Sequence, residues 1–191
     1  MSEINLNRPF LVADKIYLRP IDIEDVNESY LNWINDGDII DNLATVFPTS
    51  KEDLANFVTS ILKNPNFVFF AIVVKESNKH IGNVKLGPID WISRTTNFGL
   101  MLGDKSSWGK GYAQEAFSLI LKLAFDKLNL HKVWDMAVIT NTASIKANQK
   151  VGFKIEAELE KHVYKNGEYH NVAILSLLAE DYYKKKEQDS L

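Results

Sequence analysis

Runs of apolar residues with two different periods predict a chain of strands and helices. Residues 67–74 are almost wholly apolar, β-branched or aromatic, which is typical of a strand buried on both faces. Residues 114–128 carry apolar side chains at helical spacing and predict a long helix with one buried face. Further strands are predicted at residues 15–19, 80–86, 97–102, 132–139, 153–164 and 169–178. Further helices are predicted at residues 22–34, 50–63 and 143–150, with loops at 38–48 and 87–95.

Capping and turn residues support this order of elements. Ser50, with Asp53 three residues later, forms the pattern of a capping box at a helix start. Asn166 followed by Gly167 is the strongest short signal for a β-hairpin turn. Gly82 lies inside a predicted strand, where a glycine is typical of a bulge.

The predicted elements together favour one α/β (α+β) domain over residues 1–191. About seven strands form a mixed, mostly antiparallel sheet, and the helices pack on it. The core covers about residues 15–180, and the polar segment 181–191 is predicted to be a frayed, solvated tail. Apolar residues make up 46% of the chain, which is enough for a sizeable core.

Composition narrows the classes of function. The net charge is −3, so the chain has no general basic character and no nucleic-acid partner is expected. It has no cysteine, which excludes disulfides, thiolate catalysis and cysteine-ligated zinc. The four histidines have no tight ligand spacing, so no metal site is expected. No apolar run is long enough to span a bilayer, and the N-terminus lacks the form of a signal peptide. We therefore expect a cytoplasmic protein without a membrane partner. For the oligomeric state we expect a monomer or a homodimer.

One stretch of the chain has the character of a phosphate-binding loop. Residues 108–113 read Trp-Gly-Lys-Gly-Tyr-Ala and join a predicted strand to the long predicted helix. Gly109 and Gly111 allow a tight turn and leave backbone N–H groups unshielded by side chains. These N–H groups come at a helix N-terminus, where the helix dipole favours an anion, and Glu115 suits the same positive end. A glycine turn that binds no ligand is the alternative.

Three known phosphate loops can be compared with this stretch. A P-loop requires Ser or Thr after its Gly-Lys pair, but Lys110 is followed by Gly111. A dinucleotide-binding loop requires a small residue three positions after Gly111, where this chain has Gln114, and an acidic residue about twenty positions on, which is also missing. The third loop fits better. Residues 108–113 resemble the acetyl-coenzyme A pyrophosphate loop of the GNAT superfamily of N-acetyltransferases, Gln/Arg-x-x-Gly-x-Gly/Ala, although Trp108 stands at its first position.

The resemblance extends over roughly residues 17–178. Three segments match, in order and spacing, the branch that contains ribosomal-protein and spermidine N-acetyltransferases. They are Asn141-Thr-Ala-Ser144, Gln149-Lys-Val-Gly-Phe153 and Asn166-Gly-x-Tyr169. The segment Tyr17-Leu-Arg-Pro20 also looks like that branch. Several short motifs in the right order are far more specific together than any one of them alone.

The resemblance implies an N-acetyltransferase that uses acetyl-coenzyme A (acetyl-CoA) as cosubstrate and needs no metal. In such enzymes an amine attacks the thioester directly, so no enzyme nucleophile is needed. The enzyme has to anchor the cofactor, hold the amine neutral, stabilise the developing oxyanion and protonate the leaving thiolate. The implied cofactor-binding residues are Leu100, Met101, Leu102, Trp108, Gly109, Lys110, Gly111, Tyr112, Ala113, Asn141, Ser144 and Asn148.

The resemblance also gives these residues roles. Backbone groups of residues 108–113 would bind the pyrophosphate, with Lys110 either as a phosphate cation or solvated. The pantetheine arm would lie along residues 100–102 as though it were an added strand. Asn141 would cap the short helix and also contact the cofactor.

The general acid departs from the pattern common in the superfamily. Many GNAT enzymes place a tyrosine four residues before the Gly-Phe pair, where this chain has Asn148. Ribosomal-protein acetyltransferases also lack the tyrosine and are thought to use a serine, which Ser144 matches as the implied catalytic residue. A serine hydroxyl can relay or orient a proton; alternatively, Ser144 only satisfies the first turn of its helix.

The general base has no assignment from the sequence. The ribosomal-protein subgroup is thought to use a glutamate at a position where this chain has Val163. Glu160, Asp90 and Tyr164 are candidates by neighbourhood only. A water chain is a further alternative, because a modest fall in the pKa of the bound amine supplies enough neutral base.

The sequence therefore predicts transfer of an acetyl group to a primary amine in a ternary complex. The acceptor is a protein N-terminus, a polyamine, an aminosugar nucleotide or another small amine, and residues 30–36 look like those of aminosugar acetyltransferases. One alternative is a non-catalytic acyl-CoA-binding sensor or interaction module on the same fold. A dinucleotide-binding α/β protein is a third hypothesis, against which Gln114 argues.

Overall fold

The structure of the chain is a computed structural model that describes residues 8–40 and 47–188. Part of the predicted loop (41–46) and the end of the predicted tail (189–191) lie outside the described residues. The chain divides into two compact units. The first contains the described residues up to Leu86 together with Gly99–Ile120, and the second contains Gly87–Phe98 and the described residues from Leu121 onwards.

Eight strands and six α-helices are present in the described part of the chain. The strands are β1 (Leu11–Val12), β2 (Ile16–Pro20), β3 (Val68–Val74), β4 (Lys79–Asp90), β5 (Thr95–Leu102), β6 (Lys132–Val138), β7 (Lys154–Lys165) and β8 (Glu168–Leu178). The helices are α1 (Glu28–Trp33), α2 (Gly37–Ile40), α3 (Lys51–Leu62), α4 (Tyr112–Lys122), α5 (Thr142–Lys150) and α6 (Ala179–Gln188). Short 3-10 helices lie at Ile23–Asp25 and Lys105–Ser107, and a π-helical turn at Leu123–Lys127 continues α4.

The first unit contains strands in the order β1-β2-β3-β4-β5, and the pairs from β1 to β4 are antiparallel. The register of β2 with β3 runs from Ile16↔Val74 to Pro20↔Phe70. β3 is buried almost throughout, which confirms the prediction from its apolar run. α3 begins with the predicted capping box, since the Ser50 side chain accepts from the Asp53 N–H.

The bulge predicted at Gly82 is present in β4. Ile72 pairs with Gly82 and Val73 pairs with His80, so the extra residue is Ile81, next to Gly82. A Cβ atom on Gly82 would lie 2.1 Å from the Met101 carbonyl oxygen and 2.9 Å from the Leu102 Cα. Only glycine therefore allows β4 to approach the end of β5 this closely.

The second unit contains the end of β4 and the start of β5, within Gly87–Phe98, and its strand order is β4-β5-β6-β8-β7. β5 and β6 are parallel, whereas β8 pairs antiparallel with both β6 and β7. The predicted hairpin turn joins β7 to β8, and both Asn166 and Gly167 have positive φ values, 51° and 88°, as a type I′ turn requires. The prediction of a mixed, mostly antiparallel sheet is thus confirmed. The described strands number eight rather than about seven because the two-residue β1 carries too little pattern to be predicted.

The predicted frayed tail is wrong for the residues up to Gln188, which belong to α6. The Tyr183 hydroxyl donates to the Phe125 carbonyl oxygen at 3.1 Å, and the Tyr182 ring stacks on Phe125 with centroids 4.8 Å apart. Lys186 forms an ion pair with Asp126 at 2.8 Å. These tertiary contacts hold a helix whose own sequence is mostly polar.

Three further boundaries differ from the predictions. The loop predicted at 87–95 is mostly strand, because β4 continues to Asp90 and β5 begins at Thr95. The first predicted helix is divided, because Asp22 caps only the 3-10 helix and Asn27 caps α1 separately. The loop predicted at 38–48 begins inside the short helix α2. Within the described ranges, no helix is both long and apolar enough to cross a membrane.

Candidate active site

The predicted glycine loop joins β5 to α4 in the first unit. α4 begins at Tyr112 rather than at Gln114. Gly109 and Gly111 both have positive φ, 74° and 84°, a conformation that other residues adopt only at a cost. Both glycines are exposed. The N–H groups in the first turn of α4 have no partner within the helix, and the glycine backbone just before them has no side chains that would cover them.

The first residue of the loop holds it to the preceding strand. The Trp108 indole N–H donates to the Leu102 carbonyl oxygen at 2.9 Å. Between them lies the 3-10 helix, which Asp104 caps by accepting from the Ser106 N–H. Trp108 thus closes this segment with its polar group, while 45% of the residue stays exposed.

Two other residues brace the loop, a role for which the sequence carries no local signal. The Lys15 ammonium donates to the Lys110 carbonyl oxygen at 3.2 Å. One carboxylate oxygen of Glu115 accepts from the N–H groups of Lys15, at 2.9 Å, and Ile16, at 3.2 Å. Lys15 precedes Lys110 by 95 positions, so no local pattern could have joined them.

The end of β5 is the segment predicted to lie beside the pantetheine arm. The parallel register of β5 with β6 ends at Asn97↔Trp134, although β5 itself continues to Leu102. The following Gly103 N–H donates to the Ile81 carbonyl oxygen at 2.9 Å. A Cβ on Gly103 would overlap the Trp33 ring at 2.1 Å, so the buried Trp33 supports this end of the strand.

Three of the predicted site residues lie on or beside α5 in the second unit. Asn141 is the N-cap, since its side-chain oxygen accepts from the Ser144 N–H at 3.1 Å, which confirms its capping role. The Ser144 carbonyl oxygen accepts from the Asn148 side-chain amide at 3.1 Å. Asn148 is fully buried, with 0% of its surface exposed. Ser144 and Asn148 therefore share one face of the helix.

Asp135 on β6 is a polar residue of the second unit that the sequence analysis missed. The Asn148 side-chain amide donates to its Oδ2 at 2.9 Å, and the Met136 N–H donates to its Oδ1 at 2.8 Å. Burial raises the pKa of Asp135 to about 6, although both hydrogen bonds act to lower it. The sequence does hold one sign that Asp135 is buried. Val133 and Ala137 lie on the same face of the strand, on either side of Asp135, and both are buried apolar residues.

The candidates for the general base have separate places in the fold. Asp90 accepts from the Ile92 and Ser93 N–H groups and closes the turn between β4 and β5. Tyr164 is exposed and packs edge-on against Tyr169 in the β7–β8 hairpin, with ring centroids 5.1 Å apart. Glu160 and Val163 lie on β7.

The Tyr17-Leu-Arg-Pro20 motif supplies a buried ion pair. The Arg19 guanidinium donates to both oxygens of Asp25, at 2.7 and 2.6 Å. Burial acts to raise the pKa of Asp25, but the hydrogen bonds from Arg19 and the Asp22 N–H outweigh it and keep that pKa below its usual value. The pair ties β2 to the 3-10 helix that leads into α1.

A family model described as "Acetyltransferase (GNAT) domain" matches residues 15–154. The chain belongs to the GNAT acetyltransferases. The family predicted from the glycine loop and the later motifs is therefore confirmed, and the chain is an enzyme that transfers an acetyl group to an amine.

Individual relatives agree with the family. An uncharacterized N-acetyltransferase, p20, of Bacillus licheniformis is 27% identical over 175 residues, which cover 90% of this chain and 97% of that protein. Spermidine N(1)-acetyltransferase of Vibrio cholerae is 29% identical over 116 residues, which cover 60% of this chain and 66% of that protein. A similar fold is found in the crystal structure of spermidine N-acetyltransferase from Vibrio cholerae in complex with CoA and spermine. Its TM-score to this chain is 0.82 at 23% sequence identity, and the match covers 88% of this chain and 98% of that one.

The predicted site residues and the residues that contact them fall into two groups. The first unit brings together the end of β5, the glycine loop and its braces. The second brings together Asn141, Ser144, Asn148 and Asp135. Among residues 8–40 and 47–188, no cluster of three or more His, Cys, Asp or Glu side chains is placed to hold a metal ion.

Proposed function

We propose that this GNAT enzyme transfers the acetyl group of acetyl-CoA to a primary amine, by direct attack of the amine in a ternary complex. The observation that carries the proposal is the loop at the start of α4, where Gly109 and Gly111 hold positive φ values and are exposed. A helix N-terminus preceded by such a loop favours phosphate, because its N–H groups and its dipole both attract an anion.

We assign the chemical groups of acetyl-CoA to residues of the first unit. The pyrophosphate would meet the N–H groups of residues 108–113, including those of Tyr112 and Ala113, and Lys110 would supply a positive charge. The amides of the pantetheine arm would pair with residues 100–102, where β5 runs beyond its register with β6. At Leu102 the carbonyl oxygen already accepts the Trp108 indole N–H, which leaves one lone pair for a further donor.

The residues of the second unit supply proton handling and further contacts. The N-cap role belongs to the Asn141 side chain, so the Ser144 hydroxyl is not required for capping. We assign this hydroxyl to orienting or relaying the proton that the leaving thiolate receives. Asn141 and Asn148 are proposed to contact the cofactor. Relatives named as N-acetyltransferases favour an enzyme over an acyl-CoA-binding sensor.

The acceptor belongs to one of four classes, namely a protein N-terminus, a polyamine, an aminosugar nucleotide or another small amine. A relative is named as a spermidine acetyltransferase, which brings polyamines into the set. Polyamines are cations and bind to acidic groups that lack other partners. Asp36 and Asp38 are already paired with Lys105, at 2.7 and 2.6 Å, so these two carboxylates do not favour polyamines over neutral amines.

Isothermal titration with acetyl-CoA, coenzyme A, NAD and ATP tests the cofactor. We expect tight binding of acetyl-CoA and coenzyme A and no binding of NAD or ATP. Thiol release with a panel from the four amine classes then identifies the acceptor. Absence of acetyl-CoA binding would overturn the proposal.

A pair of matched variants tests the loop itself. Gly111→Asp places a side chain and a negative charge in the loop, and we expect it to abolish acetyl-CoA binding. Gly167→Asp is the control, because Gly167 has a similar φ, 88° against 84°, and lies in the β7–β8 hairpin. Both variants carry similar backbone strain, so equal loss of binding in both would contradict the assignment of the loop.

A further inference from the structure

A carboxyl group lies where β6 leaves its parallel partner. The last register pair of the two strands is Asn97↔Trp134, and Asp135 is the next residue of β6. In open α/β sheets, ligands bind in the crevice outside the carboxyl ends of the parallel strands. Asp135 lies just beyond the last residue of β6 that pairs with β5, toward the carboxyl end of the strand.

The surroundings of this carboxyl group are uncharged. α5 presents the neutral Asn148 side chain to it, and its register partner on β8 is Leu175. Over the described ranges no charged side chain contributes to the pKa of Asp135, which burial raises to about 6. The carboxylate thus has the proton affinity that a general base needs near neutral pH.

Asn148 holds the carboxylate in one orientation. Its side-chain N–H₂ group donates to Asp135 Oδ2 and to the Ser144 carbonyl oxygen, at 2.9 and 3.1 Å. Rotating the amide by half a turn would place its oxygen against both of these acceptors, so the observed orientation suits the ionised form of Asp135. The Asn148 amide oxygen has no hydrogen-bond partner in the described residues. A buried, incompletely paired polar group of this kind calls for a functional explanation.

We propose that Asp135 is the general base of the acetyl transfer and that Asn148 is the residue that positions it. This inference rests on the proposed function. The bond between the amine nitrogen and the acetyl carbon forms, and the carbon–sulfur bond breaks. The proton lost by the amine nitrogen moves to the Asp135 carboxylate and then passes to the thiolate sulfur. The carboxylate is regenerated, so no further reactant is required.

Asp135→Asn tests the role of the base. Asn retains an oxygen that can accept the Asn148 hydrogen bond, but it cannot take up a proton. We expect kcat to fall by about 10²- to 10⁴-fold, while the Kd for acetyl-CoA changes less than about twofold. Asp181→Asn is the matched control, since Asp181 lies in the same unit and its side chain pairs with Lys154; its kcat should stay within about twofold of wild type.

The pH dependence of kcat at saturating amine separates catalysis from structural support. Wild type should lose kcat as the pH falls through about 6, because Asp135 becomes protonated, and Asp135→Asn should lack this decline. Asn148→Leu removes a hydrogen bond that lowers the pKa of Asp135. The decline in that variant should therefore move to higher pH.

The outcomes distinguish this inference from the proposed function. An Asp135→Asn enzyme with near wild-type kcat and the same acidic decline would overturn the role of Asp135 alone. If Asp135→Asn does not fold, the shift in Asn148→Leu decides, and an unshifted decline there overturns the inference. Wild type that binds no acetyl-CoA would instead overturn the proposed function.

Discussion

The indole nitrogen of Trp108 donates a hydrogen bond of 2.9 Å to the carbonyl oxygen of Leu102. This bond joins the first residue of the glycine loop to the last residue of β5. The loop therefore begins at a position set by the strand beside which the pantetheine arm is proposed to lie.

Removal of this bond should weaken cofactor binding. Trp108→Phe keeps an aromatic ring but has no N–H donor, so the loop loses its link to Leu102. A net hydrogen-bond contribution of about 0.5–1.5 kcal/mol corresponds to a loss of roughly 2- to 10-fold in acetyl-CoA affinity, measured by isothermal titration. Trp91→Phe, in the turn between β4 and β5, is the control. Unchanged affinity in Trp108→Phe would show that the bond does not organise the loop.

A methyl group at Gly82 should destabilise the first unit. In Gly82→Ala the new Cβ would lie 2.1 Å from the Met101 carbonyl oxygen, and backbone atoms cannot move aside as a side chain can. We expect a loss of about 1–3 kcal/mol or more in the free energy of unfolding, measured with urea. Gly37→Ala is the control, because a Cβ there meets no atom within 4 Å. Similar effects in the two variants would contradict the close approach of β4 to β5.

Glu115 should stabilise the junction between α4 and β2. Its carboxylate accepts two backbone N–H groups, from Lys15 and Ile16. Glu115→Ala removes both acceptors, and we expect a loss of about 1–3 kcal/mol in the free energy of unfolding. Gln114→Ala, on the same helical turn, is the comparison. Acetyl-CoA affinity should fall only in Glu115→Ala, since Lys15 also braces the loop through Lys110.

Asp135 should make the folded chain less stable as the pH rises from about 4 to about 6. Its pKa is about 6 in the folded chain, against the ordinary value of 3.8 for an aspartate carboxyl group. In this interval the folded chain keeps a proton that the unfolded chain has released, so the free energy of unfolding falls with increasing pH.

Replacement by Asn should remove this dependence. Relative to wild type, Asp135→Asn should gain on the order of 1–3 kcal/mol across the interval, measured by urea unfolding at several pH values. Asp181→Asn should show no such gain, because the ion pair with Lys154 lowers the pKa of Asp181. A constant difference between wild type and Asp135→Asn would show that the pKa of Asp135 is not raised by folding.

Features that depend on neighbouring residues were predictable from the sequence. The capping box of Ser50 and Asp53, the Asn166-Gly167 turn and the positive φ values of Gly109 and Gly111 all follow from residues close together in the chain. The family was predictable for a related reason, since its motifs keep their order and spacing along the sequence.

Features that depend on distant partners were not predictable. A frayed tail was expected, but α6 forms there. Its Tyr182 and Tyr183 contact Phe125, which lies more than fifty positions earlier in the chain and is brought close only by the fold. The end of the strand at residues 87–90 was missed because Gly87 and Pro88 read locally as a loop, whereas β4 continues through them.

The sequence by itself determined most of the strands and helices, the glycine loop and the family, because capping, turn geometry and apolar periodicity act over a few residues. Only the tertiary structure decided that Lys15 braces the loop and that Asn148 holds Asp135. Such hydrogen bonds arise when the fold brings separate elements within about 3 Å. The raised pKa of Asp135 belongs to the same class of property, because it results from burial that the folded chain alone provides.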